Sequence, residues 1–231
     1  MKLSKAMILA AGYGTRLKPH TDFLPKALVQ YKHKPMIENV IDKLISAGIG
    51  DITINTHYLA GKIAEFIDRN KFNAKINLTF EKEILGIGGG IKNAKKYLEH
   101  SGNFLVHNVD VDSDINIKEL YDFHIKKNAI ASLCVNKRET TRHLLIDKNY
   151  NLIGRISNKG EEFYKNTSDY SKIAFCGVYI LAERVFDLFP SDDKFDIIPF
   201  ILGMVKKGEL VICYDIGDTY WKDVGKIEDL D

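Results

Sequence analysis

The sequence predicts an α/β fold, one three-layer domain built on a mostly parallel, mixed sheet with helices on both faces. Three observations carry that expectation. Through residues 1–125, short apolar runs alternate with segments whose apolar residues recur at three- and four-residue spacing, the pattern of strand–helix repeats that build parallel sheets. The first apolar run, Ala6 to Ala10, breaks directly into a loop containing Gly12 and Gly14. Finally, 231 residues at 45% hydrophobic and 28% charged content suit one large core better than two small ones.

Taken in order, Ala6 to Ala10 reads as a buried first strand. Ala27-Leu28-Val29 with Tyr31 predicts a short strand, and Lys32 to Pro35 a turn whose proline suits the first position of a helix. Ile37, Val40, Ile41, Leu44 and Ile45 then describe an amphipathic helix that stops at Ala47-Gly48. Asp51 to Asn55 is the second strand, followed by the loop Thr56-His57-Tyr58 and a helix from Leu59 to Arg69. Lys75 to Glu81 alternates at Ile76, Leu78 and Phe80, so it reads as a third strand. The turn Gly86-Ile-Gly-Gly-Gly90 opens a helix through Leu98, and Asn103 to Val109 forms a buried fourth strand closed by Asp110.

The second half changes character. Ala129 to Val135, His143 to Asp147 and Leu152 to Ile156 read as strands, the last two joined by a hairpin turn at Lys148 to Asn151. Lys172 to Leu181 is a further strand, Asp196 to Lys207 a helix, Leu210 to Tyr214 a final strand, and Lys226 starts a terminal helix. Five unclustered prolines mark no linker. The whole span 1–231 therefore reads as one domain in two halves, residues 1–125 and 126–231.

Composition narrows the function. With 33 basic and 31 acidic residues the net charge is +2, which gives no general pull toward nucleic acid or membrane, so attraction for an anion must be local. Cys134, Cys176 and Cys213 lie far apart in apolar runs without a C-x-x-C pattern; they read as buried thiols of a cytoplasmic protein. No run approaches the length of a membrane span.

The loop Ala11-Gly-Tyr-Gly-Thr-Arg16, with Lys26 beyond it, has the chemistry of a polyphosphate cradle. Gly12 and Gly14 can take positive φ and expose backbone N–H groups, and Arg16 and Lys26 supply fixed positive charge. A dinucleotide fingerprint is excluded because its third glycine would fall at Leu17, and a P-loop because Gly14-Thr15-Arg16 replaces Gly-Lys-Ser/Thr. Asp110 ends a buried strand on the ligand side of such a sheet. Asp112 and Asp114 read as a helix N-cap or a solvated turn, and the glycine and glutamate of a calcium loop are replaced by Ile115 and Tyr121.

The run L-A-A-G-x-G-T-R-L, x-P-x-T and L-P-K-x-L resembles the signature of the sugar-nucleotide pyrophosphorylases, which join a sugar 1-phosphate to an NTP. Asn108-x-Asp110, Tyr220-Trp-Lys-Asp-Val-Gly225 and Glu83-Ile-Leu-Gly-Ile-Gly-Gly-Gly-Ile91 resemble further elements of that family. The resemblance implies a Rossmann-like domain of the nucleotide-diphospho-sugar transferase type, most similar to its compact forms acting on N-acetylmuramate 1-phosphate with UTP or mannose 1-phosphate with GTP. It implies catalytic roles for Arg16 and Lys26, and nucleotide contact at Ala11, Gly12, Gly14, Thr15, Gly88 and Gly89. It also implies magnesium (Mg2+) on Asp110 and Asp223, with sugar-phosphate contact at Asn108, Lys159 and Gly177. Gly225 would let the chain turn sharply, with Trp221 packing inward.

Three departures are visible: Val109 at a frequent glycine, Ile87 for the usual threonine, and Asn158 and Gly160 around Lys159 in place of E-K-P. Lys159 therefore reads as a phosphate ligand or a solvated loop lysine. His57, in Asn55-Thr56-His57, reads as a cleft residue or a plain loop histidine. The implied partners are an NTP (UTP, GTP or CTP) and a sugar 1-phosphate. Two other readings fit the same frame, a phosphocholine cytidylyltransferase and a nucleotide-sugar-binding protein without turnover.

Overall fold

The computed structural model describes residues 2–230 except 159, 166 and 168. Strand β1 (Lys5–Leu9) lies at the centre, parallel to both neighbours. A small hairpin, β2 (Gln30–Tyr31) and β3 (Lys34–Pro35), precedes helix α1 (Met36–Ser46). The units β4 (Asp51–Thr56), α2 (Ala60–Arg69) and β5 (Lys75–Phe80) follow. Then come α3 (Gly86–Asn93), α4 (Lys95–Leu98), β6 (Asn103–Asn108), β7 (Val111–Ser113) and α5 (Ile117–Lys127).

The second half contributes β8 (Ala131–Asn136), β9 (His143–Ile146), β10 (Leu152–Ser157), β11 (Gly160–Phe163) and the long β12 (Ser171–Ala182). Helix α6 (Ile197–Lys206), β13 (Val211–Asp215) and β14 (Trp221–Asp223) complete it.

One ten-stranded sheet runs in the order β11-β10-β9-β12-β6-β1-β4-β5, with β8 also paired to β12 and β13 paired to β8. Its β6-β1-β4-β5 part is parallel, as strand–helix alternation requires. Around β12 it turns antiparallel, since β12 runs against β6, β8 and β9. Two cores flank it. Ala6 and Ile8 face one, with α1, α2 and α5; Met7 faces the other, with α3, α4 and α6. Period-two alternation on β1 thus fixes three layers. All three cysteines are buried, and no helix is long and apolar enough to cross a membrane among the described residues.

Several local expectations are corrected. Lys26–Leu28 is a 3-10 turn, closed by Leu28 N–H on the Pro25 carbonyl (2.8 Å) and Val29 N–H on Lys26 (3.1 Å), not a strand. Gly86 to Gly90 are themselves the opening of α3, and the helix breaks at Ala94 instead of continuing through Leu98. Helix α5 begins beyond Asp112 and Asp114: Asp112 belongs to β7, and the N-cap is Asn116, whose Oδ1 accepts from Lys118 and Glu119 N–H (3.1 and 3.2 Å). The terminal helix shrinks to the 3-10 turn Ile227–Asp229, and β14 follows the strand expected to be last.

Candidate active site

The carboxyl ends of β1 and β6 lie side by side, with Leu9 opposite Asn108. The chain leaving β1 wraps into the glycine loop, and Gly14 takes φ +65°. A side chain there would also strike the root of Lys26, since a Cβ would lie 2.8 Å from the Lys26 Cβ and 2.9 Å from Thr21 Cγ2. The Thr21 hydroxyl donates to the Gly14 carbonyl (2.8 Å) and fixes that turn. Gly12 does not share the left-handed conformation; a Cβ there would enter open space. Of these two glycines, Gly14 alone needs glycine for its backbone angle.

Asp110 and Asp223, 113 positions apart in the chain, are brought together by a two-stranded ladder. Strand β14 pairs antiparallel with β7, placing Asp223 opposite Val111, and Val224 N–H donates to the Asp110 carbonyl (2.8 Å). Lys26 Nζ forms an ion pair and hydrogen bond with Asp110 Oδ2. Arg16 Nη2 lies 3.7 Å from Asp110 Oδ2 and 3.7 Å from Asp223 Oδ2.

Gly225 makes this convergence possible. A Cβ there would sit 2.6 Å from Arg16 Nη2, 2.7 Å from Asp223 Oδ1 and 2.8 Å from Asp110 Oδ2. The residue leaves space for charge, and the sharp turn expected of it is instead supplied by its N–H donating back to Asp223 Oδ1 (2.8 Å).

Trp221 is half-buried. Its Nε1–H donates to the Cys176 carbonyl (2.8 Å) and the Arg138 guanidinium lies 4.0 Å from the ring centroid. Arg138, unmarked by any sequence pattern, is itself held by Asn136 Oδ1 (2.6 Å) and the Phe175 carbonyl (2.8 Å). Next to Cys176, Gly177 interrupts the β12 register with φ +75°, and a Cβ there would meet Asn108 Nδ2 at 2.8 Å. The two expected sugar-phosphate residues thus share one spot beside Asp110. Lys159 lies outside the described residues.

Gly88 and Gly89 pack against the segment before α6. A Cβ at Gly88 would overlap the Phe195 ring, and at Gly89 it would overlap the Asp193 carbonyl. Gly89 N–H is already spent on the Phe195 carbonyl (3.1 Å). These glycines are buried because the segment before α6 packs on α3; Lys92 Nζ ties that segment down through the Pro190, Ser191 and Asp192 carbonyls (3.0, 2.8 and 3.2 Å).

Electrostatics separate neighbouring groups. Asp112, two residues from Asp110, receives Lys32 Nζ (2.6 Å), Tyr31 hydroxyl (3.0 Å) and Tyr220 hydroxyl (3.2 Å). Burial pushes its pKa up, but these hydrogen bonds outweigh it and hold the carboxyl below its ordinary value. Behind the site His107 is fully buried and donates from Nδ1 to the Asn108 carbonyl (2.7 Å); burial lowers its pKa to about 4, so it is neutral at pH 7. No group of three His, Cys, Asp or Glu side chains gathers among the described residues.

The arrangement is two cations and two carboxylates converging at the mouth of a loop with open space above Gly12. Comparison with known proteins points the same way. The model of the "Nucleotidyl transferase" family matches residues 5–231. A mannose-1-phosphate guanyltransferase from Yarrowia lipolytica is 33% identical over 234 residues, covering 97% of this chain and 61% of that protein. The chain spans about three fifths of the length of such curated relatives. The crystal structure of HddC from Yersinia pseudotuberculosis complexed with GMP-PN superposes with TM-score 0.78 at 27% identity, covering 99% of this chain and 96% of HddC. UDP-glucose pyrophosphorylase from Acinetobacter baumanii, at 18% identity, shares the fold with TM-score 0.82 over 99% of this chain and 90% of its own.

Proposed function

The chain belongs to the nucleotidyl transferase family, and from that premise we propose that it joins a nucleoside triphosphate to a sugar 1-phosphate, releasing pyrophosphate, with GTP and mannose 1-phosphate as its pair. The observation that carries the reading is the convergence of Arg16, Asp110 and Asp223 on the space left by Gly225, with Lys26 paired to Asp110. The mannose-1-phosphate guanyltransferases among its relatives and the guanine nucleotide in the HddC complex support the choice of pair.

The attacking group is a phosphate oxygen of the sugar 1-phosphate, which is already an anion. No general base or covalent intermediate is needed; the barrier lies in bringing two anions into line. Lys26 neutralises the reacting phosphates, and Arg16, half-exposed at the loop, holds the departing pyrophosphate. Both act as preorganised charge where new charge develops. Asp110 and Asp223 offer hard carboxylate oxygens facing a common point, a donor set that fits Mg2+. When bound, that ion supplies Lewis-acid stabilisation of phosphate charge. The first 125 residues hold the nucleotide in this scheme, and the β12 bulge at Gly177, beside Asn108, shapes the acceptor side.

A phosphocholine acceptor would need an aromatic and acidic cage for its ammonium. Tyr31, Tyr220 and Asp112 do surround an ammonium, but it is Lys32's own, 5.4 and 5.1 Å from the two ring centroids.

The test is pyrophosphate release with Mg2+, screening four NTPs against sugar 1-phosphates and phosphocholine. GTP with mannose 1-phosphate should give the highest kcat/KM, and Asp110→Asn or Lys26→Ala should lower turnover about a hundredfold or more. Near-normal turnover in either variant would refute the assigned roles. Tight NTP binding without pyrophosphate release would mark a binding protein instead.

A further inference from the structure

The segment Asn55-Thr56-His57 ends β4 beside the glycine loop, and the phosphate chemistry leaves it unused. Asn55 is buried; its Oδ1 accepts from Ala10 N–H (2.8 Å) and its Nδ2 donates to Glu81 Oε1 (2.6 Å). Glu81 is only 2% exposed, and its second oxygen, Oε2, accepts from Leu85 N–H (3.0 Å).

Two residues on, His57 Nδ1 meets the Glu81 backbone carbonyl at 2.8 Å. A carbonyl only accepts, so Nδ1 carries the proton and Nε2 is left to accept from the Tyr13 hydroxyl (3.2 Å). The His57 and Tyr13 rings also meet edge-on, with centroids 5.3 Å apart.

Both ends of the 10–13 loop are therefore pinned from the end of β4 and the residue after it, at Ala10 through Asn55 and at Tyr13 through His57. Both pins are anchored on residue 81, one on its carboxylate and one on its carbonyl. Gly90 exists to admit the first: a Cβ there would lie 2.7 Å from Glu81 Oε1 and 2.9 Å from Asn55 Nδ2. A buried carboxylate satisfied by two neutral donors is rigid, and removing a partner leaves an unpaired buried group.

We infer that Asn55, His57 and Glu81 are positioning residues, a clamp that sets the 10–13 loop and thereby the affinity for the nucleotide but not for the acceptor. The inference rests on the proposed function for the identity of the ligand on that loop. The clamp's hydrogen bonds join the carboxyl ends of β1, β4 and β5 to the residue leading into α3, whereas Asn108 and Gly177 sit on β6 and β12, on the other side of β1. Preorganised loop N–H groups bind phosphate without reordering, so loosening the loop weakens nucleotide binding first.

The experiment measures GTP and UTP dissociation constants by titration, KM for each substrate, and Tm. It compares wild type with Glu81→Gln, Asn55→Ala and Tyr13→Phe. Glutamine offers one acceptor oxygen where the carboxylate offers two, so Asn55 and Leu85 cannot both be served. Glu81→Gln and Asn55→Ala should weaken nucleotide binding and raise its KM about tenfold or more, with the sugar-phosphate KM within about twofold. Tyr13→Phe removes only a half-exposed hydroxyl, leaves the core intact, and should weaken nucleotide binding about threefold.

Nucleotide affinities within twofold of wild type in the folded variants, or equal rises in both KM values, would overturn the clamp. If the interior variants fail to fold, Tyr13→Phe decides. A wild type that binds nucleotide but turns over no sugar phosphate defeats the proposed function, and the dissociation constants still decide the clamp. A wild type that binds neither nucleotide defeats both.

Discussion

At Gly12 an added side chain would enter open space, whereas at Gly88 it would enter the Phe195 ring. The two glycine-rich segments border the same end of the sheet and look alike on paper. In the first, the missing side chain at Gly12 leaves open space above the loop. In the second it lets protein reach protein: Phe195 over Gly88, the Asp193 carbonyl over Gly89, and the Asn55–Glu81 pair over Gly90. Gly225 is a third kind, holding apart three charged side chains rather than a ligand or a core. What a glycine does is decided by what occupies its missing Cβ position.

Gly225→Ala gives the sharpest form of this contrast. The atoms in its way are the ends of Arg16, Asp110 and Asp223, which can swing aside, so the fold should survive while turnover drops about a hundredfold or more. Unfolding midpoints and steady-state rates together check this. A variant with wild-type turnover would show that the convergence has no role.

Gly88→Ala should act in the opposite sense. The obstacle is a ring packed among Phe189 and Phe200, so overpacking should lower stability by about 1–3 kcal/mol in denaturant unfolding, with KM values of the folded fraction retained. Unchanged stability together with a raised nucleotide KM would return Gly88 to the ligand side.

Gly12→Ala has the smallest expected effect. Its backbone is outside the left-handed region and nothing crowds it, so stability should stay within about 0.5 kcal/mol. The added methyl should raise the nucleotide KM about threefold to tenfold by shading the loop N–H groups. An unaltered KM would mean that the open space above Gly12 is not where the nucleotide lies.

Much of the site was legible because its signals are local. Gly14, Arg16 and Lys26 lie within thirteen residues of one another, and a strand end followed by Asp110 points to the ligand face by itself. Helix α5 went unread although Asn116 and Glu119 carry a cap signal, the Asn116 amide donating to Glu119 Oε1 (2.8 Å). Its buried face is Ile117, Leu120, Tyr121 and His124, too polar to stand out as an apolar stripe. Asp112 departs from the expected cap or turn because its partners, Lys32, Tyr31 and Tyr220, are distant in the chain and nothing near it announces them.

By itself the sequence determined the strand–helix alternation, the parallel half of the sheet and the charged residues around a phosphate loop, because each depends on spacing within one or two dozen positions. Tertiary structure decided which of two similar glycine runs stays open, that Asp110 and not Asp112 faces Arg16 and Lys26, and that Gly225 yields its space to charge. Those outcomes depend on which atoms from remote segments fill a given volume, and close packing settles that only once β7 and β14 pair and the segment before α6 settles onto α3.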